Sequence, residues 1–233
     1  MFEEQRNRVL SSLDKAHHAY HKKPAFFSGP SVYFHVRSLR AARAQDLDRF
    51  AEYAYAMLSS WGMHQPGSGG PKMKDFDEFY SSLKSVWSEA IPLRQITLSR
   101  LRGPDWLSKA DWGRLKKVFC GIRCMTTNKS LVANSKVMAN LLPNLIPPID
   151  GKYTLRFLYN SKNIPNTKMK EWAKLVDMLK HFFYPIVSSK PFRRKVKKWL
   201  IHKKWAGWNT SPLKIVDNLV VGLERLRKAS KTE

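Results

Sequence analysis

Asp150 is the single carboxylate between Trp112 and Lys170, a stretch that also holds eleven Lys or Arg. A carboxylate fixed among cations can stabilise positive charge in a transition state, or orient and deprotonate a water within hydrogen-bond reach. Pro147 and Pro148 stiffen the approach to it, and the surrounding cations favour its ionised form. A structural role is also open, since Asp is a preferred N-cap and a helix beginning at Lys152 would need one. Fourteen residues upstream, Lys136 offers an amine. Attack by that amine on an electrophilic carbon requires a pKa depressed by desolvation or by neighbouring cations. Its alternative is a phosphate contact.

Other chemistries find less support. Asp75, Asp77 and Glu78 form the one acidic cluster, and an acidic first turn favoured by the helix dipole accounts for it better than a metal centre does. Cys120 and Cys124, four apart and expected on one helix face, are the only cysteines and cannot alone close a structural zinc site. Phosphate-cradling glycine loops and the zinc-protease His-Glu-x-x-His are absent from the sequence. No metal and no cofactor is expected. Asn128 and Asn209 match a glycosylation sequon, without consequence where no secretory signal is read.

The whole chain is strongly basic, with 42 Lys+Arg against 18 Asp+Glu and a formal net charge of +24 over 233 residues. Self-repulsion of that size is offset when a polyanion neutralises it and releases counterions. From Val187 to Ala206 there is no acid, and Arg193, Arg194, Lys197 and Lys198 sit among Trp199 and Trp205. That pattern suits contact with a phosphate backbone; a basic helix lying on a membrane surface is the competitor. No apolar run approaches the roughly twenty residues of a membrane span, and a cytoplasmic protein is expected.

The elements that must position these residues are read from spacing. Leu47, Phe50, Tyr53, Ala54, Met57, Leu58 and Trp61 recur at helical intervals, as do Phe76, Phe79, Tyr80, Leu83, Val86 and Trp87. A third face runs from Trp172 to Phe183. A fourth, from Leu213 to Leu226, starts after Thr210 and Ser211 with Pro212 at the first helical position. Period-two alternation is scarce, SVYFHV at 31–36 being the best instance, so an all-α fold is expected.

The stretch SLVANSKVMANLLPNLIPPIDGKYTLR, from Ser130 to Arg156, reads as helix, hairpin, helix, proline-rich turn, then an aspartate opening another helix. It resembles the signature of the helix-hairpin-helix DNA glycosylase superfamily, a hairpin L-P-G-x-G-x-K followed by a helix and V-D-T-H-V-x-R. Lys136 matches the hairpin lysine and Asp150 the aspartate. Upstream, RFAEYAYAMLSSWGMHQPGSGG resembles that superfamily's opening F-x-x-L-x-x-x-I-L-S-x-Q and the loop over the target base. The chain departs from the pattern at the hairpin glycines, replaced by Val132 and Asn134, and at Gly151-Lys152, with Arg156 one position late.

The resemblance implies two helical lobes with the active site between them: an extension over 1–44, a core over 45–185 with its hairpin at 130–137, and basic C-terminal helices over 186–233. It implies a monomeric enzyme that flips a base out of duplex DNA and hydrolyses its N-glycosidic bond. Asp150 would be catalytic with Lys136. Ser60, Trp61, Met63, His64, Gln65 and Tyr153 would form the base pocket, and Asn134, Ser135, Lys152 and Arg156 would join the basic helix on the DNA backbone. Breaking a bond to sugar C1′ develops positive charge on the sugar, which a fixed carboxylate stabilises. The run NSKVMANLLPNLIPPIDGKYT further resembles bacterial antiphage glycosylases, which implies glucosylated hydroxymethylcytosine in phage DNA as the target. Trp61, last in its helical stripe, also suits core packing. The rival class is a non-enzymatic DNA- or RNA-binding module in which Asp150 is only a cap.

Overall fold

The structure, a computed structural model, describes residues 1–22, 29–65, 67, 70–97, 106–127, 129–205 and 207–230. Those residues form α1 (Phe2–Ser11), α2 (Leu13–His21), α3 (Pro30–Arg43), α4 (Leu47–Ser60), α5 (Phe76–Leu93) and α6 (Lys109–Gly121). The second half gives α7 (Leu131–Leu141), α8 (Arg156–Tyr159), α9 (Lys168–Met178), α10 (Tyr184–Ser188), α11 (Lys190–Ile201) and α12 (Pro212–Ala229). Wide π-turns, Gly151–Leu155 and Leu179–Phe183, lead into α8 and join α9 to α10, and a 3₁₀ turn, Lys203–Trp205, follows α11. Among the described residues the one β feature is an isolated antiparallel bridge between Met73 and Met125.

Side-chain caps fix where helices begin. Asp46, Asp75, Ser108, Ser189 and Ser211 each accept the backbone N–H three residues on, opening α4, α5, α6, α11 and α12. Asp77 and Glu78 occupy the first turn of α5, as their charge favours. The alternating SVYFHV segment is helical in α3. Pro30 presets its first turn, and His35, Ser38, Leu39 and Ala42 form a buried stripe at three- and four-residue intervals.

One hydrophobic cluster runs from Val9 to Leu223, so all three expected segments share a core. The expected boundary after residue 185 falls inside α10. α3 packs along α4, α5 along α6, and α12 along α2. Gly222 permits that last approach: a Cβ there would stand 1.9 Å from the Ala16 carbonyl oxygen. α7 is buried from Leu131 to Leu141 on almost every side, and α12 from Leu213 to Glu224, as befits helices at the centre of a helical body.

Two expectations need correction. The segment 130–137 is not a hairpin, because from Leu131 onward it is the first two turns of α7. Val132, where one of the glycines would stand, disfavours a left-handed turn, and Asn134, which tolerates one, is held in the helix by its side-chain bonds to the end of α6, so the helix continues unbroken. Cys120 and Cys124 do not share a helix either: α6 ends at Gly121 and Cys124 lies beyond it. Both are free thiols whose pKa is pushed up by burial. Asn128 lies outside the described residues.

The start of α7 is capped from a distance. Glu171 of α9, fully buried, accepts the Ser130 N–H through both carboxylate oxygens, at 2.9 and 3.1 Å. Asn134, one turn further on, donates to the carbonyls of Phe119 at 2.9 Å and Ile122 at 3.0 Å, tying α7 to the end of α6. Removing an acceptor from a buried N–H costs about 1–3 kcal/mol. Glu171→Ala is therefore expected to lower stability by about that amount, while Glu52→Ala, at an exposed position, stays within about 0.5 kcal/mol of the parent. Urea unfolding of the two variants checks this, and equal midpoints would remove Glu171 from the capping role.

Candidate functional site

Ser135 sets the spacing of the two reactive groups. Its hydroxyl, inside α7, accepts the Ile149 N–H at 3.0 Å and so pins the proline-rich turn to the helix that carries Lys136. Asp150 follows directly. Its backbone N–H is donated to Thr154 Oγ1 at 3.3 Å, and its Oδ1 accepts the N–H groups of Lys152 at 2.8 Å and Tyr153 at 3.0 Å. The carboxylate thereby caps the π-turn while Oδ2 stays turned to Lys136 Nζ, 3.7 Å away. Capping and chemical exposure coexist, because the Asp150 side chain keeps 34% of its surface open and Lys136 only 9%.

The pair lies on the wall of a cavity of about 350 Å³. Ser60 and Trp61 line it from the end of α4, Pro148 and Tyr153 from the Asp150 turn, and Ser31 from the start of α3. Trp208, Lys214, Asp217 and Val221 close it from the C-terminal side. Lys136 Nζ sits 5.1 Å from the Trp61 ring centre, a cation–π distance, and 4.0 Å from Met63 Sδ. Lys152 and Lys228 both reach over the Tyr153 ring, at 5.8 and 5.7 Å.

Two lysines in this cavity are driven in opposite directions. Burial pulls the Lys136 pKa below the ordinary lysine value, and the pull of Asp150 and Asp217 towards the charged form does not make up the loss. Lys214 is equally deprived of water, yet its Nζ donates to Asp217 Oδ2 at 2.8 Å and Asn218 Oδ1 at 2.6 Å. Burial alone would lower its pKa, but Asp217, with Tyr20 and Asp150 adding to it, holds Lys214 above the ordinary value. Groups pushed apart in this way mark a division of labour between base or nucleophile and fixed charge. Of the two, Lys136 gives up its proton more readily, and Lys214 holds its charge more firmly. Thr154 joins the two halves, accepting from Asp150 N and donating to Asp217 Oδ1, each at 3.3 Å.

The residues expected from sequence divide cleanly. Lys136, Asp150, Ser60, Trp61 and Tyr153 meet at one cavity, with Met63 beside the lysine. His64 and Gln65 do not line it. His64 Nδ1 accepts from Met73 N at 3.4 Å and the Gln65 N–H is donated to the Pro71 carbonyl, which turns both outward. Pro66, Ser68 and Gly69 of the expected pocket loop lie outside the described residues. Asn134 and Ser135 are fully buried and cannot touch a DNA backbone; their hydrogen bonds are spent inside the protein. Lys152 is exposed and Arg156 half-buried, and neither lines the cavity, whereas Arg193, Arg194, Lys197 and Lys198 are exposed on α11.

Sequence reasoning overlooked Trp208, Lys214 and Asp217. The available signal was LKIVDNLVV, where two opposite charges three residues apart interrupt an otherwise apolar helix. A buried pair is the arrangement that makes such an interruption tolerable.

Set against family models, curated proteins and solved structures, the chain gives no match. Among the described residues no helix is long and apolar enough to cross a membrane, and no three His, Cys, Asp or Glu side chains converge to hold a metal ion.

Behind the cavity, buried His35 packs beside Trp61 and Trp208, with ring centres 5.8 and 6.1 Å away, and its Nε2 lies 3.1 Å from Thr210 Oγ1. Burial lowers its pKa to about 3, and those of His17 and His21 to about 4 and about 3. In each case the unfolded chain binds a proton that the native one refuses. Their contribution to stability is therefore whole above about pH 6.5 and is lost as pH falls towards 4. Glu171, raised to about 7 by burial, works in the opposite sense between about pH 4.5 and 7. His35→Asn is expected to reduce proton uptake on unfolding at pH 5.5 by about one, or roughly 1.4 kcal/mol per pH unit in the slope of stability against pH. Chemical denaturation across pH 4.5–7 measures it, and an unchanged slope would mean that His35 titrates as it does in the unfolded chain.

Proposed function

We propose that this chain is a DNA base-excision enzyme of the glycosylase type, which takes a flipped nucleotide into the Trp61–Tyr153–Trp208 cavity and cleaves its N-glycosidic bond. One observation carries the reading: a capped carboxylate and a buried lysine of lowered pKa stand 3.7 Å apart on the wall of an aromatic-lined cavity in a chain of net charge +24. Aromatic walls suit an unstacked base, and the positive surface draws the duplex to them. Asp150 faces the sugar, where it stabilises the positive charge that develops as the C1′–N bond lengthens and orients a water for attack at C1′. The departing base carries away the bonding pair and takes up a proton, leaving an abasic site.

Lys136 supports a second, covalent form of the same reaction. Its amine, desolvated and beside Lys214, can attack C1′ in place of water, losing one proton and opening the sugar to a Schiff base as the base departs. The two forms separate on one measurement, capture of an enzyme–DNA adduct by borohydride. The target proposed is a modified cytosine of the glucosylated hydroxymethyl kind.

A panel of duplexes carrying damaged bases or glucosylated hydroxymethylcytosine, scored for alkali-labile sites, tests the proposal. Asp150→Asn should reduce base release by at least a hundredfold with binding changed less than about threefold, because amide oxygens keep the cap but not the charge. Lys136→Gln should abolish any borohydride-trapped adduct. Wild-type protein that binds these duplexes but releases no base from any of them would leave a nucleic-acid-binding module in place of an enzyme.

A further inference from the structure

A cavity of about 360 Å³ lies where the ends of α3 and α5 and the 142–145 turn after α7 meet the start of α12, and it shares no lining residue with the Asp150 cavity. Arg43, from the last turn of α3, and Arg94, which closes α5, both line it. Asn144, Thr210 and Ser211 add uncharged polar groups, and no Asp or Glu is among the lining residues.

Arg94 is the member that needs explaining. Its Nη1 is buried and has no hydrogen-bond partner, and among the described residues neither arginine enters an ion pair. Burial, and then the like charge of Arg43, push the Arg94 guanidinium below its ordinary pKa. The carbonyl ends of α3 and α5 are favourable places for a cation, yet Arg94 Nη1 takes none of those carbonyls. The start of α12, capped by Ser211, brings its own positive dipole end to the same cavity. An ionised donor that has lost water without gaining an acceptor is costly to keep. What relieves it here is an anion with several acceptor oxygens. A guanidinium presents a planar fork of donors that matches phosphate oxygens, and a tetrahedral phosphate can offer oxygens to both arginines at once.

We propose that this cavity is a phosphate-binding site, in which Arg94 and Arg43 together hold one phosphate group, borne by a nucleic-acid backbone or by a small phosphate compound. The site is independent of the reaction assigned to the Asp150 cavity.

Calorimetric titration of inorganic phosphate into the full chain, at a constant ionic strength of about 0.15 M, tests it. Wild type should take up one phosphate per chain. Arg94→Met and Arg43→Ala should each bind it at least tenfold more weakly, while Lys162→Ala, which removes one exposed cation elsewhere, should stay within about twofold. Arg43 is exposed, so its variant keeps the test open should Arg94→Met fold poorly. Phosphate should also raise the unfolding midpoint of wild type and leave that of the Arg43 variant nearly unmoved. A short DNA duplex separates the two sources. Phosphate that competes with the duplex on wild type but not on Arg43→Ala supports a backbone phosphate, and phosphate that binds without disturbing the duplex supports a small ligand. Equal phosphate affinity in wild type and both arginine variants, or uptake that does not saturate at one per chain, would overturn the site in favour of diffuse attraction to a chain of net charge +24. Because every readout is binding or unfolding, the result stands whether or not any base is released.

Discussion

Two ammonium groups have been taken out of water at the centre of this molecule, and the surrounding arrangement follows from what is brought to each. Desolvating a charge is expensive unless partners replace the water. Lys214 has them in full, with a carboxylate and an amide oxygen within 2.8 Å. Lys136 has a carboxylate at 3.7 Å, a thioether and a ring face, which is not enough to keep its pKa at the ordinary value. The incomplete solvation of one lysine beside the complete solvation of the other gives the cavity its chemical character.

Positioning comes from hydrogen bonds that a surface-oriented view assigns elsewhere. Ser135 holds the Asp150 turn, Asn134 holds α6, and Glu171 holds the first turn of α7. None can meet a ligand, yet each determines where a reactive atom stands. Asp150 shows the same economy: Oδ1 is committed to the backbone while Oδ2 stays turned to Lys136.

The helical class was legible because the apolar stripes of α4, α5, α9 and α12 have the helical period and their starts are written in Asp, Thr, Ser and Pro. Lys136 and Asp150 stood out through the acid-poor segment around them, and the cavity does bring them together. The hairpin failed where the glycines it needs are Val132 and Asn134, a local chemistry that favours continuing α7. Asn134 and Ser135 were misplaced because burial is a property of the packed body, and polar residues on a central helix look like surface residues until their partners from α6 and the Asp150 turn are present. Lys214 and Asp217 left a local trace, opposite charges three residues apart in an apolar helix, but their place at the Asp150 cavity left none: α4, α7 and α12 meet there from distant parts of the chain, and no local spacing records that meeting.

Gly222 bears at once on two recesses, the Asp150 cavity and a cleft between α2 and α11. With a Cβ 1.9 Å from the Ala16 carbonyl oxygen, even an alanine would force α12 and α2 apart. Ala16 is followed by His17, whose ring stacks on Trp199 at 4.3 Å and lines the cleft between α2 and α11, while α12 carries Lys214 and Asp217 into the Asp150 cavity. The two recesses are therefore calibrated by one interhelical gap. A sequence change at position 222 would detune both together, whatever each of them holds.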